Sequence, residues 1–464
     1  MDIRNCRSVY FLGIGGIGMS SLARYFAGKG AAISGYDKTP TSLTEELISE
    51  GMDVHFEEDP RRIPKDTELA IYTPAIPKEN AELITIEKKG LPLMKRAEVL
   101  GAITRGTRTI AIAGTHGKTT TSTLIAHILY QAGIRFIAFL GGISKNYHSN
   151  YIENNGKDSS LRHEAGSTDY FVVEADEFDR SFLQLHPHIA VITSTDADHL
   201  DIYEDIGRLM ESFGTFASQV EQEGFLLIKS GLAIPTKEPL MATRYTYHCR
   251  SGADFYAENL TVRQGLYHYD MVTPSGKEEK LVLSLPGLFN LENAVAASAV
   301  AWITGVPGSA LKNALSTYRG VKRRFDFRIL KDDFVYIDDY AHHPEELRAC
   351  IQAVKDLYPE RKITGVFQPH LYSRTRDFAD GFALSLGMLD ELYLLDIYPA
   401  REKEIPGVNS KMLLDKVNIP NKQLADKGRL IGLLKKNKPQ VLLTLGAGDI
   451  DQLSAPITEA FGKE

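Results

Sequence analysis

Thr109-Ile110-Ala111-Ile112-Ala113-Gly114-Thr115-His116-Gly117-Lys118-Thr119-Thr120-Thr121 is the run that decides the fold. Its apolar and β-branched start predicts a strand, its glycines a tight loop, and the residues through Tyr130 a helix. Backbone N–H groups and the helix dipole at such a junction favour an anion. Lys118 is placed to neutralise phosphate charge, and the Thr119 hydroxyl to ligate Mg²⁺. The run is shorter than the general G-x-x-x-x-G-K-[ST] template, whose first glycine falls at Ile112. A bare surface Gly-Lys turn would need neither the strand before it nor the metal-ligand candidates that follow it.

Those candidates end two later strands. Tyr170-Phe171-Val172-Val173 leads to Glu174-Ala175-Asp176-Glu177, and Ile189-Ala190-Val191-Ile192-Thr193 leads to Asp196-Ala197-Asp198-His199. Parallel sheets bind ligands at the carboxyl ends of their strands, so Glu174 and His199 are expected to join Thr119 on Mg²⁺. Magnesium prefers oxygen, and a structural His199 is an equal alternative.

Outward from this loop, short β-branched runs, turns and helical stretches alternate along the chain. That pattern predicts α/β architecture with largely parallel sheets. Strands opening at Ser8, Thr107 and near Phe334 divide the 464 residues into three expected domains, 1–106, 107–321 and 322–464. Turn-like segments join them at Thr104-Arg105-Gly106 and Gly320-Val321-Lys322. Thr243 to Leu285 alternates apolar and polar residues and predicts β-hairpins. Asn154 to Thr168 reads as a polar loop, and Ala294 to Val306 as a buried helix.

The first strand, Val9-Tyr10-Phe11-Leu12, enters Gly13-Ile14-Gly15-Gly16-Ile17-Gly18, a GxGxxG loop. A second strand, Ala31 to Gly35, ends near Asp37, where a dinucleotide fold places its ribose-binding acid. The ligand is either NAD or a flavin, or else a nucleotide diphosphate such as a UDP-sugar. The glycines also break the apolar run to Met19, which suits a strand and loop better than a signal peptide's apolar helix. No stretch approaches a membrane span, and a cytoplasmic protein is expected.

In the last third, one strand ends in Asp338-Asp339-Tyr340-Ala341-His342-His343-Pro344 and another in Gln368-Pro369-His370-Leu371-Tyr372-Ser373-Arg374-Thr375-Arg376-Asp377. Such His and Arg clusters suit a carboxylate or phosphate. Lys322-Arg323-Arg324 is a short basic run upstream of them. Adjacent histidines rarely share one metal ion, so no metal is expected at His342 and His343. The net charge of −7 argues against a general nucleic-acid binder. Cys6, Cys249 and Cys350 lack metal-ligand spacing and read as buried reduced thiols.

Taken together, GIGGIGMS, TPAIP (Thr73 to Pro77), AGTHGKTTT, EADEFDRSFL, DADHLDIY, GVKRRFDFR, DDYAHHPEE and FQPHLYSRTRDF resemble the Mur ligases, the ATP-dependent amide-bond-forming enzymes of bacterial cell-wall synthesis. The resemblance covers nearly the whole chain. It implies a Rossmann-like N-terminal domain that binds a UDP-sugar, a central P-loop ATPase-like domain with added β-hairpins, and a Rossmann-like C-terminal domain that closes over the site. It also implies ATP and Mg²⁺ as cofactors, and joining of L-alanine to the carboxylate of UDP-N-acetylmuramate through an acyl phosphate. Peptidoglycan synthesis, and with it cell shape and division, follows from that activity. No nucleic acid or membrane partner is implied, and a monomer or homodimer is expected.

The same resemblance assigns roles. Gly114, Thr115, His116, Gly117, Lys118, Thr119 and Thr120 cradle the ATP phosphates, with Asn290, Asn293, Arg324 and Asp338 on the same nucleotide. Gly15, Gly16, Ile17, Gly18, Asp37, Thr73 and Ala75 hold the UDP part. Tyr340, His370 and Arg374 serve the amino acid and the sugar carboxylate, and His342 is a candidate proton acceptor. Lys118, Glu174, His199, His342 and Arg374 are the expected catalytic set. Four positions depart from the family pattern. Leu371 stands where Arg is usual and removes one anticipated carboxylate contact. Phe289 stands for His, Arg401 interrupts a Tyr-x-Ala-Gly-Glu run, and Asn409 replaces Asp. The rival readings are a recycling ligase that attaches a tripeptide to the same sugar, an NAD-dependent dehydrogenase, and a non-catalytic nucleotide sensor.

Overall fold

The computed structural model describes residues 2–156, 170–196, 203, 205–236, 240–263, 265–400 and 402–462. Its described strands form three sheets. The first contains β1 (Ser8–Leu12), β2 (Ala32–Tyr36), β3 (Asp53–His55), β4 (Leu69–Tyr72) and β5 (Leu93–Lys95), in the order β3-β2-β1-β4-β5. All its pairings are parallel. β1 is buried along its whole length, which is why it reads as a continuous apolar run with no alternation.

The second sheet has ten strands. They are β6 (Arg108–Ala113), β7 (Phe136–Phe139), β8 (Tyr151–Asn154), β9 (Tyr170–Glu174), β10 (Ile189–Ile192), β11 (Phe225–Lys229), β12 (Thr243–His248), β13 (Phe255–Arg263), β14 (Leu266–Thr273) and β15 (Gly276–Leu283). The order is β15-β14-β13-β12-β11-β10-β6-β9-β7-β8, which places β6 between β9 and β10. The expected hairpin is present at β14 and β15, which pair antiparallel. β12 and β13 pair parallel instead. Alternation marks a half-exposed strand whichever way its neighbour runs, so the sequence pattern did not separate the two cases.

The third sheet holds β16 (Asp326–Leu330), β17 (Val335–Asp339), β18 (Ile363–Phe367), β19 (Glu391–Leu394), β20 (Asn421–Leu424) and β21 (Val441–Leu445), in the order β16-β17-β21-β18-β19-β20. Only β16 runs antiparallel.

Five helices matter for the site: α1 (Ile17–Gly28), α2 (Lys118–Gln131), α3 (Leu288–Ile303), α4 (Pro344–Leu357) and α5 (Tyr372–Asp377). α3 contains most of the apolar run expected to be a buried helix. The chain divides into two compact units. One comprises Met1–Arg263, Tyr267–Ser284 and Glu292–Arg319, and the other centres on Gly320–Glu464. Within the first unit the first two sheets share a core, where Tyr25 of α1 meets Phe139 of β7 at 5.6 Å between ring centroids. Arg24, nearly buried, ties the same face together. It pairs with Glu50 at 2.7 Å and Glu46 at 3.1 Å, and donates to the fully buried Asn150. Residues 157–168 of the expected polar loop lie outside the described residues.

Candidate active site

β6 ends at Ala113 and α2 begins at Lys118, so Gly114 to Gly117 is the connecting loop. Gly117 is the helix N-cap at φ +84°, a left-handed conformation that favours glycine. A side chain there would also come within 2.6 Å of Asn293 Oδ1. Because this N-cap makes no side-chain hydrogen bond, the first amides of α2 have no capping acceptor. That is the arrangement an anion needs.

The loop is anchored by the neighbouring strand end. Register pairs Ala113 with Ile192, so Thr193 and Ser194 leave β10 beside the loop. Ser194 Oγ accepts from the His116 amide at 2.7 Å and meets Thr115 Oγ1 at 2.9 Å. Thr193 Oγ1 donates to the His116 carbonyl. His116 Nε2 lies 3.3 Å from Asp196 Oδ2. Thr119 and Thr120 are buried in the first turn of α2.

On the other side, register pairs Ile112 with Glu174 at the carboxyl end of β9. Glu174 Oε2 accepts from the Gly141 amide at 3.1 Å. Lys118 Nζ donates to the Gly114 carbonyl at 2.6 Å and to both oxygens of buried Glu177 at 2.8 and 3.0 Å. Burial pulls the Lys118 ammonium down, but Glu177, Asp176 and Glu174 outweigh it and hold the group above the usual lysine range. His199 lies outside the described residues.

The donor set fits a hard cation. The Thr119 hydroxyl in the first turn of α2 and the Glu174 carboxylate at the end of β9 offer oxygen donors, the kind Mg²⁺ prefers. Asn293 stands at the loop, and Asn290 donates to the Pro286 carbonyl at 2.6 Å.

At the first glycine loop, Gly16 caps α1 without a side-chain bond, so Ile17 and Gly18 open an uncapped helix. Asp37, just past β2, accepts from the Gly15 amide at 2.8 Å. Its carboxylate is therefore tied to the loop, in addition to any role on a ligand. Thr73 follows β4, with its methyl group beside Gly13, and Ala75 lies in the same turn. Gly18 also lies against Arg96, which pairs with Asp176 at 3.5 Å.

In the C-terminal unit, β17 and β18 end in the two polar clusters. Tyr340 stacks under both Arg324 at 4.9 Å and Arg323 at 5.1 Å. His342 packs edge-on to Tyr340 and to His370, whose ring stacks on Tyr398. His342 Nδ1 lies 3.0 Å from the Tyr340 carbonyl. Nδ1 also lies 3.3 Å from Glu346 Oε2; both neighbours only accept, so Nδ1 carries a proton, and in the neutral ring Nε2 holds the lone pair. Asp338 accepts from Thr444 Oγ1 at 2.7 Å and lies 3.5 Å from Arg323 Nε. Arg374 is buried in α5. Leu371 is buried at φ +69°, an uncommon conformation for a leucine.

Sequence reasoning missed Glu177, Arg96, Thr193 and Ser194. The two hydroxyl residues carried a readable signal, since they follow a strand that parallel topology places beside the loop. In the sequence Glu177 is no more than the last member of the acidic run Glu174-Ala175-Asp176-Glu177.

An uncapped helix N-terminus with a part-buried lysine, flanked by acidic ends of parallel strands, describes an enzyme that uses a nucleoside triphosphate. The sequence profiles sharpen this class. The Mur ligase family catalytic domain matches residues 8–108, the Mur ligase middle domain 112–301, and the Mur ligase glutamate ligase domain 323–448. The chain belongs to the Mur ligase family, whose members are ATP-dependent. It is 49% identical to the UDP-N-acetylmuramate–L-alanine ligase of Parabacteroides distasonis, covering 100% of this chain and 99% of that one. It is 50% identical to the protein of the same name from Flavobacterium psychrophilum, covering 100% of both. Among solved structures it matches the UDP-N-acetylmuramate–alanine ligase MurC of Thermotoga maritima with a TM-score of 0.82 at 25% identity, covering 98% of this chain and 99% of that one. Among the described residues no helix is long and apolar enough to cross a membrane.

Proposed function

We propose that this chain is an ATP-dependent ligase that joins L-alanine to the carboxylate of UDP-N-acetylmuramate in peptidoglycan precursor synthesis. The carrying observation is the end-to-end identity of about one half with relatives bearing that name. The geometry supports the same chemistry. A carboxylate resists attack by an amine, so ATP first converts it to an acyl phosphate; alanine's amine then attacks and phosphate leaves. Lys118 and the amides at the start of α2 stabilise charge on the transferring phosphoryl group. Thr119, Glu174 and His199 are the proposed Mg²⁺ ligands, and the bound ion would neutralise phosphate charge.

The first glycine loop takes the UDP diphosphate, with Gly15 to Gly18, Asp37, Thr73 and Ala75 around it. In the C-terminal unit Tyr340, His370 and Arg374 recognise the amino acid and carboxylate. His342 accepts the amine's proton on Nε2, the nitrogen left basic by the Tyr340 carbonyl.

The test is ADP release with UDP-N-acetylmuramate and each amino acid in turn, with the tripeptide as a separate arm. Release should require both the UDP-sugar and L-alanine. Release with the tripeptide and none with alanine would replace this reading by the recycling ligase.

A further inference from the structure

The cysteine spacing predicted no metal site, but the fold gathers a donor set that the linear sequence separates. His248 ends β12, Cys249 follows it, and Glu292 lies near the start of α3. One ligand atom from each lies within 4.8 Å of the other two. His248 Nε2 and Glu292 Oε1 are already 3.8 Å apart. Neighbouring residues within a strand point to opposite faces. Cys249 has left the strand into a bend, and this lets both side chains face Glu292.

We propose that His248, Cys249 and Glu292 form a second cation site, for a zinc-class divalent ion with one coordination position left for water or a small ligand. The ligand chemistry selects the metal. Thiolate and imidazole suit Zn²⁺ and disfavour Mg²⁺ and Ca²⁺. A tetrahedron built on Zn–S and Zn–N bonds has edges of roughly 3.3–3.6 Å, so closure takes a contraction of about 1 Å by three half-buried side chains.

The surroundings fit ligation. His248 Nδ1 accepts from the Arg250 amide at 3.1 Å and also lies 3.2 Å from the Arg250 carbonyl. In the neutral ring Nε2 therefore holds the proton, and ion binding at Nε2 moves it to Nδ1, which then donates to that carbonyl, the hydrogen bond usual behind a metal-bound histidine. Lys229 Nζ holds the other carboxylate oxygen of Glu292 at 2.7 Å and leaves Oε1 for the ion. Binding displaces one proton from the Cys249 thiol to solvent. Lys229 offsets part of the charge of the thiolate and carboxylate. A filled site would brace the end of β12 to the start of α3, one residue from Asn293.

Co²⁺ added to the metal-stripped full chain is the probe, because a thiolate ligand gives a near-ultraviolet charge-transfer band and a tetrahedral site gives intense visible bands. The expected result is one such Co²⁺ per chain, displaced by Zn²⁺. Cys249→Ser should abolish the near-ultraviolet band, and His248→Ala or Glu292→Gln should weaken binding at least roughly tenfold. Co²⁺ at an oxygen-ligand magnesium site gives no sulfur band, so the two sites are told apart. No band in the wild-type protein, or a band that survives Cys249→Ser, overturns the proposal. A second measurement needs no variant: Zn²⁺, and not Mg²⁺, should slow iodoacetamide alkylation of Cys249 by roughly tenfold, read by peptide mass. Equal rates with and without Zn²⁺ overturn it as well.

Discussion

Lys118 Nζ stands 2.8 Å from Glu177 Oε2, and the carboxylate is almost wholly buried. Lys118 therefore has a counter-ion within its own unit. A buried ammonium without one carries a large desolvation cost. On the proposed function, arriving phosphates compete with Glu177 for the same cation, and Glu177 is a positioning residue for Lys118.

Glu177→Gln keeps the shape and removes the charge. Lys118 would retain the Gly114 carbonyl and the nearby Asp176 and Glu174, so the stability cost is put at about 2 kcal/mol, below the full penalty for a broken buried pair. ATP should bind the variant at least as tightly, since the competitor is gone. Thermal unfolding with and without ATP measures both. Unchanged stability with tenfold weaker ATP binding would instead make Glu177 a direct nucleotide or metal contact.

Lys118→Ala removes the cation proposed to face the transferring phosphoryl group. ADP release should fall by about 10²–10³ or more, the usual loss for a preorganised charge-stabilising donor. Binding of the UDP-sugar should change less than about twofold, because the first glycine loop belongs to a different sheet. Calorimetric titration with UDP-N-acetylmuramate checks this. Loss of sugar binding in step with turnover would mean that the two nucleotide sites have been exchanged.

The strand, loop and helix around Gly114 to Lys118 were legible because they are consecutive, and the place of Glu174 at a strand end because the apolar run before it reads as a strand. Glu177 was not, since only the folded chain brings it to Lys118, 59 residues away. Arg24 and Asn150 meet across 126 residues for the same reason. His248, Cys249 and Glu292 show the limit of spacing rules, which see only ligands on one local segment. The positive φ of Leu371 was also hidden, since nothing in a leucine signals that conformation.

Leu371, at a position where the resemblance implied arginine, has a buried side chain, and its carbonyl accepts from Thr375 Oγ1 at 2.7 Å. Leu371→Ala should cost about 2 kcal/mol in lost apolar burial and cavity. The KM for L-alanine should stay within about twofold, because no polar contact is removed. Steady-state kinetics beside urea unfolding separates the two effects. A large rise in KM without loss of stability would place this side chain on the amino acid.

Asp339 ends β17 wholly within the fold, accepting from the Phe325 amide at 2.6 Å and the Ala341 amide at 2.7 Å. Burial pushes its carboxyl up to about 6, against the opposing charge of Arg324 and these two bonds. A folded pKa raised above the unfolded value of 3.8 means that the native state holds the proton more tightly. The stabilising contribution is fully present below the unfolded pKa and is lost as pH rises through about 6. Asp339→Asn removes this dependence. Wild-type stability relative to the variant should therefore be greater at pH 5 than at pH 7 by about 1 kcal/mol. Urea unfolding of both proteins at the two pH values reads the difference directly, and carboxyl-carbon NMR should place the Asp339 midpoint near 6. A pH-independent difference, with a midpoint near 3.8, would show that the two backbone donors fully compensate the burial.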